Sequence, residues 1–131
     1  MVFVADIDNL PMMMGYIRQE AQKAQVDDKT IQKIEIASEE AIVNVISYAY
    51  PHQKGNLELS CQRTGNRFEI LIKDKGLPFN PIDEEIKPQL SQPVHERRIG
   101  GYGIFLMRKL IDEVSYERIG EENILCLEFN V

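Results

Sequence analysis

The chain has no excess of basic charge, only two cysteines and no apolar run long enough to span a bilayer, and each shortage removes a class of function. Twenty-one acidic against fifteen basic side chains leave a net charge of -6, the wrong sign for a protein that gains affinity by neutralising phosphates over a whole face. Neither nucleic acid nor an anionic membrane is an expected partner. Cys61 and Cys126 have no further ligand at zinc-like spacing, so they read as small apolar side chains in strands rather than as a disulfide or metal pair. Without a charged leader or a long apolar segment, the expected location is a reducing cytoplasm. The rest is ordinary globular usage, 44% hydrophobic and 27% charged, and 131 residues suffice for a single domain, 1–131, with one core.

The periodicity sets the order of elements. Val2 to Ala5 reads as a short strand, and Asp8-Asn9-Leu10-Pro11 supplies a cap and a proline at the start of a helix. Leu10, Met13, Met14, Ile17, Ala21 and Ala24 form its apolar stripe. Asp27 or Asp28 caps a second helix reaching about Ala49, where Pro51 ends it. The period then falls to two: Leu57, Leu59 and Cys61, a turn at Thr64-Gly65-Asn66, then Phe68, Ile70 and Ile72, which is a hairpin. Residues 76–100 hold four prolines and few periodic apolar positions, the pattern of a functional lid. A third helix is expected from Ile104 to about Asp112, followed by a second hairpin that turns at Gly120 to Asn123 and ends in Leu125, Leu127, Phe129 and Val131. This order predicts an α/β (α+β) two-layer sandwich, a mixed, mostly antiparallel sheet with helices on one face.

Three segments carry chemistry. Glu40 and Asn44, four apart on the second helix, lie about 40° apart around its axis and can address one ligand together. Glutamate suits a general base, and an amide oxygen is a hard ligand for Mg²⁺. Asp74 and Gly76 close the second strand of the first hairpin, where a carboxylate can accept from an exocyclic amine such as adenine N6 and a glycine lets backbone approach a flat base. Gly100, Gly101 and Gly103 precede a helix whose amides and positive end can cradle phosphate oxygens. No Gly-Lys-Ser/Thr follows, which excludes a P-loop, and Leu106 stands where the dinucleotide fingerprint has its third glycine. Each segment alone has a plainer reading: a solvated helix flank, an ordinary turn, a flexible hinge.

In this order, however, the three resemble the boxes of the GHKL, or Bergerat-fold, ATPases. Ser38-Glu39-Glu40-Ala41-Ile42-Val43-Asn44 looks like their N box, Ile72-Lys73-Asp74-Lys75-Gly76 like the first glycine box, and Gly100 to Met107 like the second. The length and the run from Gly100 to Tyr116 look most like the bacterial anti-sigma regulatory factors, the serine kinases of partner-switching systems. The resemblance implies a histidine-kinase-like ATPase domain that binds ATP with Mg²⁺, sequesters a sigma factor and phosphorylates a serine of a STAS-domain antagonist, usually as a homodimer. It implies Glu40 as general base, Asn44 as Mg²⁺ ligand, Asp74 and Gly76 at adenine, and Gly100, Gly101 and Gly103 at the phosphates; Arg97 and Arg98 are placed to meet the terminal phosphate or to face solvent. The alternative is a non-catalytic, nucleotide-gated protein-binding module. A histidine kinase is disfavoured, because neither His52 nor His95 sits on a long amphipathic helix. Tyr48 stands where many relatives carry histidine, and Pro78 to Arg98 matches only loosely. Asn123-Ile124-Leu125 stands where many relatives have Gly-Thr, so the resemblance does not carry over their water-mediated contact to adenine, for which Asn123 is the candidate substitute.

Overall fold

A computed structural model of the chain describes residues 1–81 and 109–131. Strand β1 (Val2–Val4) leads through a short 3-10 turn (Ile7–Asn9) into helix α1 (Leu10–Lys23) and then helix α2 (Asp28–Ala49). The hairpin β2 (Asn56–Thr64) and β3 (Arg67–Asp74) follows, and the chain closes with β4 (Glu113–Ile119) and β5 (Glu122–Asn130). Among the described residues the strands form one five-stranded sheet in the order β1-β2-β3-β5-β4, every pair antiparallel. The expected fold class therefore holds.

Alternation decides which residues enter the core. In β3, Phe68, Ile70, Ile72 and Asp74 are buried while their neighbours are not, and in β5 the same phase runs through Asn123, Leu125, Leu127 and Phe129. Met13, Ile17 and Ala21 of α1 and Ile31, Ile34, Ala41, Ile42 and Val45 of α2 complete the apolar layer. Leu10, Met14 and Ala24 are only partly buried against it, and Met12, one position off the stripe, is 59% exposed.

Local details differ from the sequence reading. Asn9 precedes α1 and a proline follows in its first turn, as expected, but the Asn9 side chain makes no capping bond; the side-chain cap belongs to the 3-10 turn just upstream, where Asp6 accepts from the Asp8 amide at 3.0 Å. Cys61 and Cys126 lie in strands but only half-buried; burial pushes their thiols to about 12 and about 11, so neither is a thiolate near neutral pH. The expected lid from position 82 on and the expected third helix up to position 108, with Arg97, Arg98, Gly100, Gly101 and Gly103, lie outside the described residues. Lys109 and Leu110 are helical and Ile111 no longer is, so that helix stops short of Asp112. Among the described residues no helix is long and apolar enough to cross a membrane.

Candidate functional site

Helix α2 brings Glu40 and Asn44 to the site on one flank. Asn44 is 1% exposed, so its amide must find partners, and it finds them in the preceding turn: Nδ2 donates to the Glu40 carbonyl at 2.7 Å and to Glu40 Oε1 at 3.0 Å. With its nitrogen engaged, the amide oxygen is the atom left to ligate a hard cation. Glu40 is half-buried, and desolvation raises its carboxyl above the ordinary value of 4.5; the Asn44 bond opposes the rise and the nearby Glu39 charge adds to it. A carboxylate held closer to neutrality is a better proton acceptor than a fully solvated one.

Asp74 enters the site through the same alternation that buries the isoleucines of β3, and it is 4% exposed. Its Oδ1 accepts from the Gly76 amide and from Asn123 Nδ2, both at 2.9 Å. Desolvation raises the carboxyl and Glu122 adds to the rise, while the Asn123 and Gly76 bonds and the Arg118 charge lower it without cancelling the effect. The chain then turns against the end of α2: the Leu77 amide donates to the Ala49 carbonyl at 2.8 Å, and a Cβ on Gly76 would lie 2.4 Å from that same oxygen. Glycine is required here by the close approach of backbone to backbone.

That contact joins the two halves of the site. Ala49, five residues beyond Asn44 on α2, meets the turn that leaves Asp74, so the pair on the helix and the pair after β3 share one framework. Tyr50 reinforces it, its hydroxyl accepting from the Lys75 amide at 2.9 Å and donating to the Asn56 carbonyl at 2.8 Å. Tyr48 packs its ring on Phe79 with centroids 5.0 Å apart, and Phe79 is 8% exposed, so the first residues of the expected lid are anchored to α2. A cleft of about 410 Å³, lined by Tyr50, Lys54, Lys73 and Lys75 among others, reaches Asp74; Glu40 and Asn44 do not line it.

Sequence reasoning assigned no role to Tyr116 and Arg118 and singled out Asn123 only as standing where many relatives have Gly-Thr; Asn123 is bonded to Asp74 and to the Leu77 carbonyl, Arg118 to the Gly76 carbonyl, and Tyr116 to Asn123. The signal was available. The alternation Leu125, Leu127, Phe129 extends back to Asn123, and a polar residue in the inward phase must have a partner.

An antiparallel sheet backed by helices, one of them carrying Glu40 and Asn44, is the layout of a histidine-kinase-type ATPase. A solved structure, the Acinetobacter baumannii histidine kinase AdeS, shares the fold with a TM-score of 0.54 at 14% identity, covering 99% of this chain and 67% of that one. This chain belongs to the histidine kinase-like ATPase domain family, whose model matches residues 3–129. It is also similar to the serine-protein kinase RsbW of Oceanobacillus iheyensis, 32% identical over 91 residues, which cover 66% of this chain and 58% of that protein. The serine-protein kinase RsbW of Bacillus thuringiensis is 30% identical over 88 residues, 65% of this chain and 55% of that one. The chain thus spans little more than half the length of these relatives in the matched region.

Proposed function

We propose that this protein is an ATP-dependent serine kinase and anti-sigma factor: it binds ATP with Mg²⁺, sequesters a sigma factor, and phosphorylates a serine of a STAS-domain antagonist. The observation that carries the reading is the pairing of Glu40 with Asn44 on α2 and its link through Ala49 to the Asp74–Gly76 turn. These residues fit the ligand's chemistry. A buried carboxylate acceptor suits adenine N6, an amide oxygen suits Mg²⁺, and a half-buried glutamate suits proton abstraction. Mg²⁺ supplies neutralisation of phosphate charge when bound. Glu40 accepts the proton of the attacking serine hydroxyl, whose oxygen bonds to the γ-phosphorus as the bond to the β-phosphate breaks and ADP leaves. Gly100, Gly101 and Gly103 belong to this proposal as the phosphate cradle, and so do a homodimeric state and a cytoplasmic location; they rest on the family resemblance and on the relatives named serine-protein kinase.

The test is incubation with Mg²⁺ and γ-labelled ATP beside the STAS-domain protein encoded nearest to this one, with nucleotide affinity measured in parallel. Label is expected on a partner serine, falling about 10²-fold or more in Glu40→Gln while ATP still binds. ATP binding without transfer would leave a nucleotide-gated sequestering module, and absence of ATP binding would overturn the pocket itself.

A further inference from the structure

We infer that Asn123, held by Tyr116, is a positioning residue that fixes Asp74 in the one orientation able to read an exocyclic amine, and so sets the preference of this site for adenine over guanine. The inference rests on the nucleotide reading above and adds a determinant to it. Asp74 and Asn123 stand directly opposite each other in the β3–β5 register, both facing the helices, at 4% and 2% exposure. The Asn123 amide is fully committed. One Nδ2 proton goes to Asp74 Oδ1 at 2.9 Å, the other to the Leu77 carbonyl at 2.8 Å, and Oδ1 accepts from the Tyr116 hydroxyl.

Turning that amide over would set its oxygen against a carboxylate and a carbonyl and strip Tyr116 of its acceptor, so a single orientation survives. The Gly76 amide falls on the same Asp74 oxygen as Asn123, which among the described residues leaves Oδ2 to accept from a ligand. From β4, Arg118 Nη1 donates to the Gly76 carbonyl at 2.8 Å, so the hairpin β4–β5 holds the turn by two successive carbonyls, those of Gly76 and Leu77. An ionised carboxylate only accepts: it favours the amine at the six position of adenine and repels the carbonyl oxygen that guanine carries there.

Among the described residues, the charged or titratable groups acting on Asp74 besides the Asn123 amide are Arg118 from β4, Glu122 from β5 and Tyr50 at the end of α2. The Asn123 bond is the largest influence keeping this carboxyl from rising further. Loss of the bond therefore raises the proton affinity of Asp74 and moves the acid limb of ATP binding to higher pH.

The experiment compares ATP and GTP affinity across pH for the wild-type protein, Asn123→Ala and Tyr116→Phe, with circular dichroism and melting temperature as controls. Asn123→Ala is expected to weaken ATP about tenfold, to narrow the ATP-to-GTP preference by a similar factor, and to shift the acid limb upward. Tyr116→Phe, which removes a single oxygen and leaves Asn123 Oδ1 without its donor, is expected to weaken ATP about threefold and remains decisive if Asn123→Ala does not fold. Affinities within twofold of wild type in folded variants would overturn the inference, as would equal losses for ATP and GTP with no movement of the acid limb. A wild-type protein that binds no ATP would instead remove the nucleotide reading and this inference with it, which the parallel measurement separates from failure of Asn123 alone.

Discussion

The two faces of the sheet handle polar residues in opposite ways. On the helix side, Asp74, Asn123, Tyr116 and Arg118 converge at one end of β3, β5 and β4, and each is bonded to a named partner in a defined direction. On the open side, Glu69, Glu128 and Glu113 stand opposite one another across β3, β5 and β4, with Arg67 reaching Glu128 at 2.7 Å and Glu113 at 3.4 Å. Like charges in direct cross-strand register are unfavourable, and they are tolerated because water screens them. Burial turns a polar contact into a geometric specification, whereas exposure leaves it nearly free to vary.

Four measurements probe that contrast. The largest effect should come from Gly76→Ala, because the new methyl group meets the Ala49 carbonyl at 2.4 Å; denaturant unfolding should show a loss of about 3 kcal/mol with ATP affinity lost as well. A double-mutant cycle between Asp74 and Asn123 should return a coupling of about 1.5 kcal/mol, against about 0.3 kcal/mol for Arg67 with Glu113 on the open face. Equal couplings would erase the distinction between the faces.

The pH dependence is expected to follow the buried carboxyls. A carboxyl whose proton affinity is higher in the folded than in the unfolded chain contributes most to stability below its unfolded pKa and loses that contribution as pH climbs through the folded one. Glu40 and Asp74 are both raised by desolvation, so the unliganded protein should lose stability as pH rises out of the ordinary carboxylate range toward neutrality. Glu40→Gln should flatten part of that slope, raising the melting temperature at pH 7.5 by about 2 °C while changing little at pH 4. The smallest effect belongs to the open face. Glu69→Gln, which relieves the charge opposite Glu128, should leave stability within about 0.5 kcal/mol of wild type, on the stabilising side, by thermal melting.

How far the sequence announced this arrangement depends on the range of the interaction. The helix α2 and the hairpin β2–β3 were legible because the periods of Ile31 to Ala49 and of Phe68 to Ile72 are local properties of the chain. The spacing of Glu40 and Asn44 likewise sufficed to place them together, since four residues on a helix fix the geometry. Gly76 was identified for the close approach that a glycine allows, and the neighbour the fold brings to it is the backbone of Ala49; its place beside a base belongs to the proposed site. The bond from Asn123 to Asp74 was not legible, because it depends on which strand lies beside β3, and the order β3-β5-β4 is set by packing across the chain. The start of α1 at Asn9 and Pro11 was legible as a local pattern, whereas the side-chain cap at Asp6 was not, because it serves a 3-10 turn too short to leave a hydrophobic period.

The bond from the Leu77 amide to the Ala49 carbonyl also bears on the order of folding. A helix normally settles its last carbonyls with residues that follow at once, but α2 hands one of them to a residue on the far side of an entire hairpin. Its final turn therefore cannot be completed until β2 and β3 have paired and docked, and the loop that must close first makes this a late, non-local step. Protection of the Leu77 amide proton from solvent exchange would date that step, and would mark the moment at which the two halves of the site first belong to one structure.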